Sequence, residues 1–243
     1  MRYRSDKRRS RANGRRKVIT AGLAAAVVAG GLVLAPRAFG DTNAAGCADV
    51  HIIATRASTE RPGAGIIGSL VTAVESASDQ SISTDTTDYP ASLANYTSSQ
   101  SQGVAALKQL VEAQVQQCPG QKIVLMGYSQ GAHVTGDVLA GGSGRRGAEP
   151  IGADAAGQVA AVILMGDPAY VPGKSFNAGT SQRAGVFPRG ATQALDPFAD
   201  KIQSYCDTGD NFCAGGARLS VHLGYTRKYN NQAEEFVLDR IGG

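Results

Sequence analysis

The chain has 243 residues, 42% of them hydrophobic, which suits one domain with a sizeable core. Its formal charge of +4 is misleading, because ten of the 24 Lys and Arg residues lie in positions 1–40 with a single acid, Asp6; the rest holds 14 bases against 19 acids, a net of −5. That remainder has no basic stripe to grip phosphates, so nucleic acid is not expected as a partner.

Residues 1–40 read as an export signal. Positions 2–17 are rich in Arg and Lys, Val18 to Ala35 form a Gly/Ala/Val/Leu run, and Ala38-Phe39-Gly40 places small residues at −3 and −1 of a cut before Asp41. An uncleaved anchor is the alternative, but the run is diluted by Ala and Gly and only approaches the roughly 20 residues a span needs. Arg15-Arg16-Lys17-Val18-Ile19 loosely resembles a twin-arginine signal and leaves the export route open. The expectation is a secreted, monomeric domain over 41–243, with no stable membrane association once the signal is removed.

In chain order, Val50 to Ala54 is a short β-branched run of the kind a buried strand requires, and a Pro-Gly loop follows Glu60. Residues 66–78 can form a helix, and 79–100, rich in Ser, Thr and Asp, read mostly as loop. Gln102 to Gln117 has apolar residues at 104, 107, 110, 111 and 115, an amphipathic helix stopped by Pro119-Gly120. Ile123 to Met126 is the next strand and Ala132 to Leu139 the helix after it. Residues 141–157 read as a Gly-rich surface loop, Val159 to Met165 as a third strand, 172–200 as irregular, Ile202 to Tyr205 as a fourth strand, and Asn231 to Ile241 as a closing helix. Buried strands alternating with amphipathic helices indicate a three-layer α/β/α sandwich around a largely parallel sheet.

Four cysteines, all past the signal, suit an oxidising destination. With no CxxC and no His-rich cluster, a zinc site is not expected. Of three possible pairings the spacing favours Cys206 with Cys213, a small clamped loop, leaving Cys47 with Cys118. A bridge over the longer loop is expected to stabilise by roughly 4 kcal/mol.

The chemistry centres on Gly127-Tyr128-Ser129-Gln130-Gly131. Gly-x-Ser-x-Gly is a modest signal by itself, but here it lies directly between an apolar strand and a helix, the setting of a nucleophile elbow. Such a turn lifts the Ser129 hydroxyl above the sheet, with a helix N-terminus behind it that favours negative charge. A serine needs a base, and there are three histidines. His51 falls inside the first strand, and His133, four residues along the same helix, points along that helix. His222, in a loop before the last helix, remains as the base. Asp210, between Cys206 and Cys213, is the expected orienting carboxylate, with Asp167 and Asp207 as rivals; Asp167 is better suited to bracing the Pro168 turn. For the oxyanion, the elbow supplies the Gln130 backbone N–H, and Ser58 is placed to supply a second donor, the alternative being a plain turn serine.

These blocks together resemble the cutinase family of serine esterases, which also holds acetylxylan esterases. The similar stretches are Cys47 to Glu60, Lys122 to Ala132, Ile202 to Cys213 and His222 to Tyr225, spanning roughly residues 46–241. The resemblance implies a minimal α/β-hydrolase fold without a large lid, Ser129, Asp210 and His222 as the triad, and Ser58 and Gln130 as oxyanion donors. It also implies the disulfides Cys47–Cys118 and Cys206–Cys213, with neither metal nor cofactor. Expected substrates are short- to medium-chain esters and cutin- or suberin-type polyesters, including insoluble plant polymer surfaces. The alternatives are deacetylation of xylan and, more remotely, an inactive cell-surface binding module.

Overall fold

The computed structural model describes residues 46–141 and 149–242. The export signal expected over 1–40, and part of the loop expected over 141–157, lie outside the described residues.

The chain enters on β1 (Val50–Thr55), followed by α1 (Gly68–Ala77), β2 (Ile82–Thr86), α2 (Tyr96–Gln117), β3 (Lys122–Tyr128) and α3 (Gln130–Ala140). Then come α4 (Ala153–Gln158), β4 (Val159–Met165), β5 (Asn177–Ala178), β6 (Ile202–Tyr205), α5 (Leu219–His222) and α6 (Tyr225–Ile241). The six strands form one sheet in the order β2-β1-β3-β4-β6-β5, and every pairing is parallel.

Both faces of this sheet are covered, which is why its central strands β1, β3 and β4 are almost continuously apolar. Because side chains alternate across a strand, each strand feeds two cores. On one face Ile52, Met126 and Ile163 pack with Leu70 and Val74 of α1 and with Ala233, Val237 and Ile241 of α6. On the other, Ile53, Leu125 and Leu164 pack with Leu107 and Val111 of α2 and with Val134 and Val138 of α3. The expected three-layer α/β/α sandwich is therefore the observed architecture.

Four local expectations are corrected. Residues 79–100 are loop over just more than half their length, but they also contain β2, an edge strand whose Ile82, Thr84 and Thr86 are β-branched and whose register exists only by pairing with β1. Helix α2 starts at Tyr96 rather than Gln102, because its polar first turns find buried tertiary partners: the Ser99 hydroxyl donates to Gln130 Oε1 and Gln100 Nε2 donates to Asp137. A short helix, α4, falls within the stretch expected to be loop. Helix α6 starts at Tyr225, six residues ahead of the expected Asn231, since Tyr225 packs on the core.

Candidate active site

The C-terminal ends of β1, β3 and β4 and the start of α3 converge on Ser129. This residue has φ +54° and ψ −120°, a region that non-glycine residues avoid at a cost of about 1–3 kcal/mol. Its surroundings hold it there: the Ser129 N–H donates to Met165 O at 2.8 Å. The flanking glycines leave no room for side chains. A Cβ on Gly131 would lie 2.0 Å from Thr55 O, and one on Gly127 would lie 2.5 Å from Gly131 O. The strand–turn–helix geometry expected of the pentapeptide is present.

His222 ends α5 and is buried. Its Nε2 lies 2.8 Å from Ser129 Oγ, and its Nδ1 lies 2.8 Å from Asp210 Oδ2. Three supports place the ring. Tyr128, inside the pentapeptide, donates its hydroxyl to His222 O; Phe212 packs edge-on against the imidazole at 4.6 Å; and Gly166, at φ +64°, leaves the ring its space. There a Cβ would lie 2.9 Å from the imidazole.

Asp210 is completely buried in the loop closed by the Cys206–Cys213 disulfide. Its Oδ1 accepts the N–H groups of Phe212 and Cys213 at 2.6 and 2.9 Å. Burial pushes its pKa up, but the hydrogen bond and charge of His222 and the two backbone donors outweigh that and hold it below the ordinary carboxylate value. An ionised Asp210 accepting from Nδ1–H selects the tautomer that leaves the Nε2 lone pair facing the serine.

The rivals lie elsewhere. Asp167 Oδ1 accepts Ala169 N–H at 2.8 Å, bracing the Pro168 turn, and its Oδ2 accepts from Arg189. Asp207 is taken by Lys228, Tyr229 and Thr180. The rings of the two other histidines are engaged elsewhere: His51 Nδ1 bonds to Ser83 Oγ and His133 Nδ1 to Tyr96 Oη.

Gln130 opens α3 directly behind Ser129, its side chain tied to Ser99, Ser92 and Tyr96 of the opposite wall. Ser58 lines the same cleft as Ser129 and His222, and its buried hydroxyl oxygen has no hydrogen-bond partner. The Ser58 loop is stiff: Thr59, at φ +68°, donates its N–H to Ala91 O, and the Glu60 carboxylate accepts the N–H groups of Ala57 and Ile66. Both disulfides, Cys47–Cys118 and Cys206–Cys213, are formed.

The serine opens into a cleft of about 760 Å³. Among the described residues, the large apolar side chains left exposed are Leu93, Val186, Phe187, Leu219 and Leu223, and all five line this cleft. No helix among the described residues is long and apolar enough to cross a membrane.

Several supporting residues were not legible in the sequence. Tyr128 and Tyr225 fell inside the similar blocks without a role, and Arg189 carried no signal at all within an irregular stretch.

A serine at a strained elbow over the C-terminal edge of a parallel sheet, within reach of a buried histidine, places the protein among the α/β hydrolases. A sequence profile of the cutinase family matches residues 46–241. Acetylxylan esterase 2 of Talaromyces purpureogenus is 36% identical over 81% of this chain and 88% of that protein. Cutinase 11 of Verticillium dahliae is 35% identical over 80% of this chain and 70% of that protein. A solved acetylxylan esterase superposes with a TM-score of 0.77 at 35% identity, covering 81% of this chain and all of that one. The chain belongs to the cutinase family and is a carboxylic ester hydrolase.

Proposed function

We propose that the protein is a secreted serine esterase that acts on apolar carboxylic esters of short to medium chain length and on polyesters of the cutin or suberin type. The observation that carries this reading is the rim of the cleft. The five large side chains left exposed surround the serine, an arrangement suited to an acyl chain or an apolar polymer surface. Export through residues 1–40 accords with the two disulfides.

In the proposed reaction, Ser129 attacks the ester carbonyl as His222 Nε2 takes its proton. Asp210 keeps the imidazole oriented and stabilises it while charged. The backbone N–H of Gln130 and a donor from Ser58 receive the oxyanion; the unpartnered Ser58 hydroxyl supports that assignment. His222 then protonates the leaving alcohol. Water, activated by the same histidine, hydrolyses the acyl-enzyme and restores Ser129.

Deacetylation of xylan is the second reading, favoured by the identity and superposition with acetylxylan esterases. A series of p-nitrophenyl esters from acetate to dodecanoate, run beside acetylated xylan and a polyester film, separates the two. The apolar reading expects kcat/KM to rise from acetate to butyrate or longer and the film to be released as monomers. A preference for acetate with turnover of xylan alone would overturn it. Ser129→Ala should abolish hydrolysis of p-nitrophenyl butyrate; unchanged turnover would remove the assignment of the nucleophile.

A further inference from the structure

Tyr225 is the first residue of α6, three positions past His222, and is buried. Its hydroxyl lies 2.8 Å from Asp210 Oδ2, the same oxygen that accepts from His222 Nδ1 at 2.8 Å. The neighbours determine which way that bond runs. A tyrosine hydroxyl has one proton and two lone pairs. The Asp207 N–H donates to it at 2.9 Å, and Cys213 Sγ, 3.2 Å away, is half of a disulfide and has no proton of its own. The phenolic proton therefore goes to the carboxylate, the strongest acceptor within reach. Burial, with the negative charge of Asp210 next in weight, pushes the phenol's pKa up and keeps it a donor.

Asp210 thus receives four donors: Phe212 and Cys213 N–H on Oδ1, and His222 and Tyr225 on Oδ2. The first two hold one oxygen in place. The Tyr225 hydroxyl occupies the position on Oδ2 that the imidazole leaves open, so the carboxylate has no free turn about its Cβ–Cγ bond.

We propose that Tyr225 is a positioning residue of the hydrolytic site, fixing Asp210 toward His222 and drawing off part of the carboxylate's charge. The proposal rests on the reading of Ser129, His222 and Asp210 as the triad. The other titratable or charged groups around the pair are Asp207 with its partners Lys228 and Tyr229, then Tyr128, with Glu60 and Arg227 further out. Removing the Tyr225 hydroxyl takes no charged or titratable partner from any of these; beyond Asp210 its direct effect is on the Asp207 backbone N–H, which loses its acceptor.

The experiment is Tyr225→Phe beside Tyr229→Phe, with kcat, KM and the pH profile of kcat/KM measured on p-nitrophenyl butyrate. Tyr229 is a fair control, since its hydroxyl donates to Asp207 Oδ1 at 2.7 Å within the same disulfide loop but does not touch Asp210. Losing a donor to the anionic pair raises the pair's affinity for a proton. Tyr225→Phe should therefore lower kcat by about tenfold, leave KM nearly unchanged and move the acid limb up by about half a pH unit, while Tyr229→Phe keeps the wild-type profile. An unshifted acid limb in Tyr225→Phe overturns the proposal, including when a lower melting temperature reveals a purely structural loss. Should that variant fail to fold, a mono-fluorinated tyrosine at 225 keeps the ring and strengthens the donor. The acid limb should then move down, and no movement overturns the proposal equally. An active Ser129→Ala variant would instead remove the triad itself, so the two failures are told apart.

Discussion

The guanidinium of Arg189 stands where a side chain on Gly136 would have to go: a Cβ built on Gly136 lies 2.2 Å from a guanidinium nitrogen. Gly136 is in the interior of α3, where glycine costs about 1 kcal/mol relative to alanine. The space it leaves admits a buried cation that donates to Asp137 at 3.0 Å, to Asp167 and to His133 O at 3.1 Å. The helix that begins just after Ser129 is thereby tied to the segment carrying Val186 and Phe187.

Arg189→Met should lower the free energy of unfolding by about 3–5 kcal/mol, because it leaves two buried carboxylates without their cation. Gly136→Ala should also destabilise, by about 1–3 kcal/mol, although helix propensity by itself favours alanine. Urea denaturation checks both. A more stable Gly136→Ala would show that Arg189 moves aside freely.

The two disulfides should separate stability from activity. In the chain-entropy account the Cys47–Cys118 bridge, with a separation of 71, contributes about 4 kcal/mol, and the Cys206–Cys213 bridge, with a separation of 7, about 2.5 kcal/mol. Paired Cys→Ser variants at 47 and 118 should melt earlier yet retain most of their kcat. The pair at 206 and 213 should lose less stability but more kcat, since Asp210 lies inside that loop. Thermal melts and kcat on one ester substrate read out both, and proportional losses in the two variants would argue against the clamp.

Removing apolar surface from the rim should change chain-length preference more than turnover. Leu223→Ser should raise KM for a dodecanoyl ester several-fold, as expected when on the order of 1 kcal/mol of apolar contact is lost, and change acetate far less. Equal effects on both esters would place the acyl chain elsewhere.

Acid should destabilise the fold in two stages. Burial, partly opposed by Asp85, lowers the pKa of His51 from its ordinary 6.5. The unfolded chain then binds more protons there than the folded one, so this contribution is complete above pH 6.5 and is lost as the pH falls toward the depressed folded value. Asp207 and Asp210 also have lowered values. Each contributes stability above the ordinary 3.8 that disappears as the pH falls through its folded value. His51→Gln should flatten the first stage in a series of melting temperatures against pH and leave the second. A first stage that persists in His51→Gln would assign it to another group.

Much of this protein was legible along the chain because its signals are local. A serine between two glycines, at the junction of an apolar strand and a helix, is a turn whose geometry those few residues nearly dictate. Counting three histidines and finding an aspartate framed by two cysteines gave the expected partners, and the alternation of buried strands with amphipathic helices named the layers. The misses have an opposite cause. Strand β2 reads as Ser/Thr-rich loop until β1 supplies its hydrogen bonds, and the first turns of α2 read as polar until Asp137 and Gln130 receive their side chains.

The residues expected to act with Ser129 could be named from the sequence; how tightly they are held, and what lines the cleft around them, could not. The sequence by itself pointed to Ser129 as the proposed nucleophile and to the elbow, the sandwich and the disulfide pairs, because each depends on neighbours close in the chain or on a short count of candidates. Only the tertiary structure decided that Tyr225 closes the hydrogen-bonding of Asp210, that Arg189 joins two buried aspartates, and that the exposed apolar side chains gather at one cleft. Those relations join residues 15, 52 and 22 positions apart, whose meeting depends on the packing of whole layers and leaves no periodic trace in the chain.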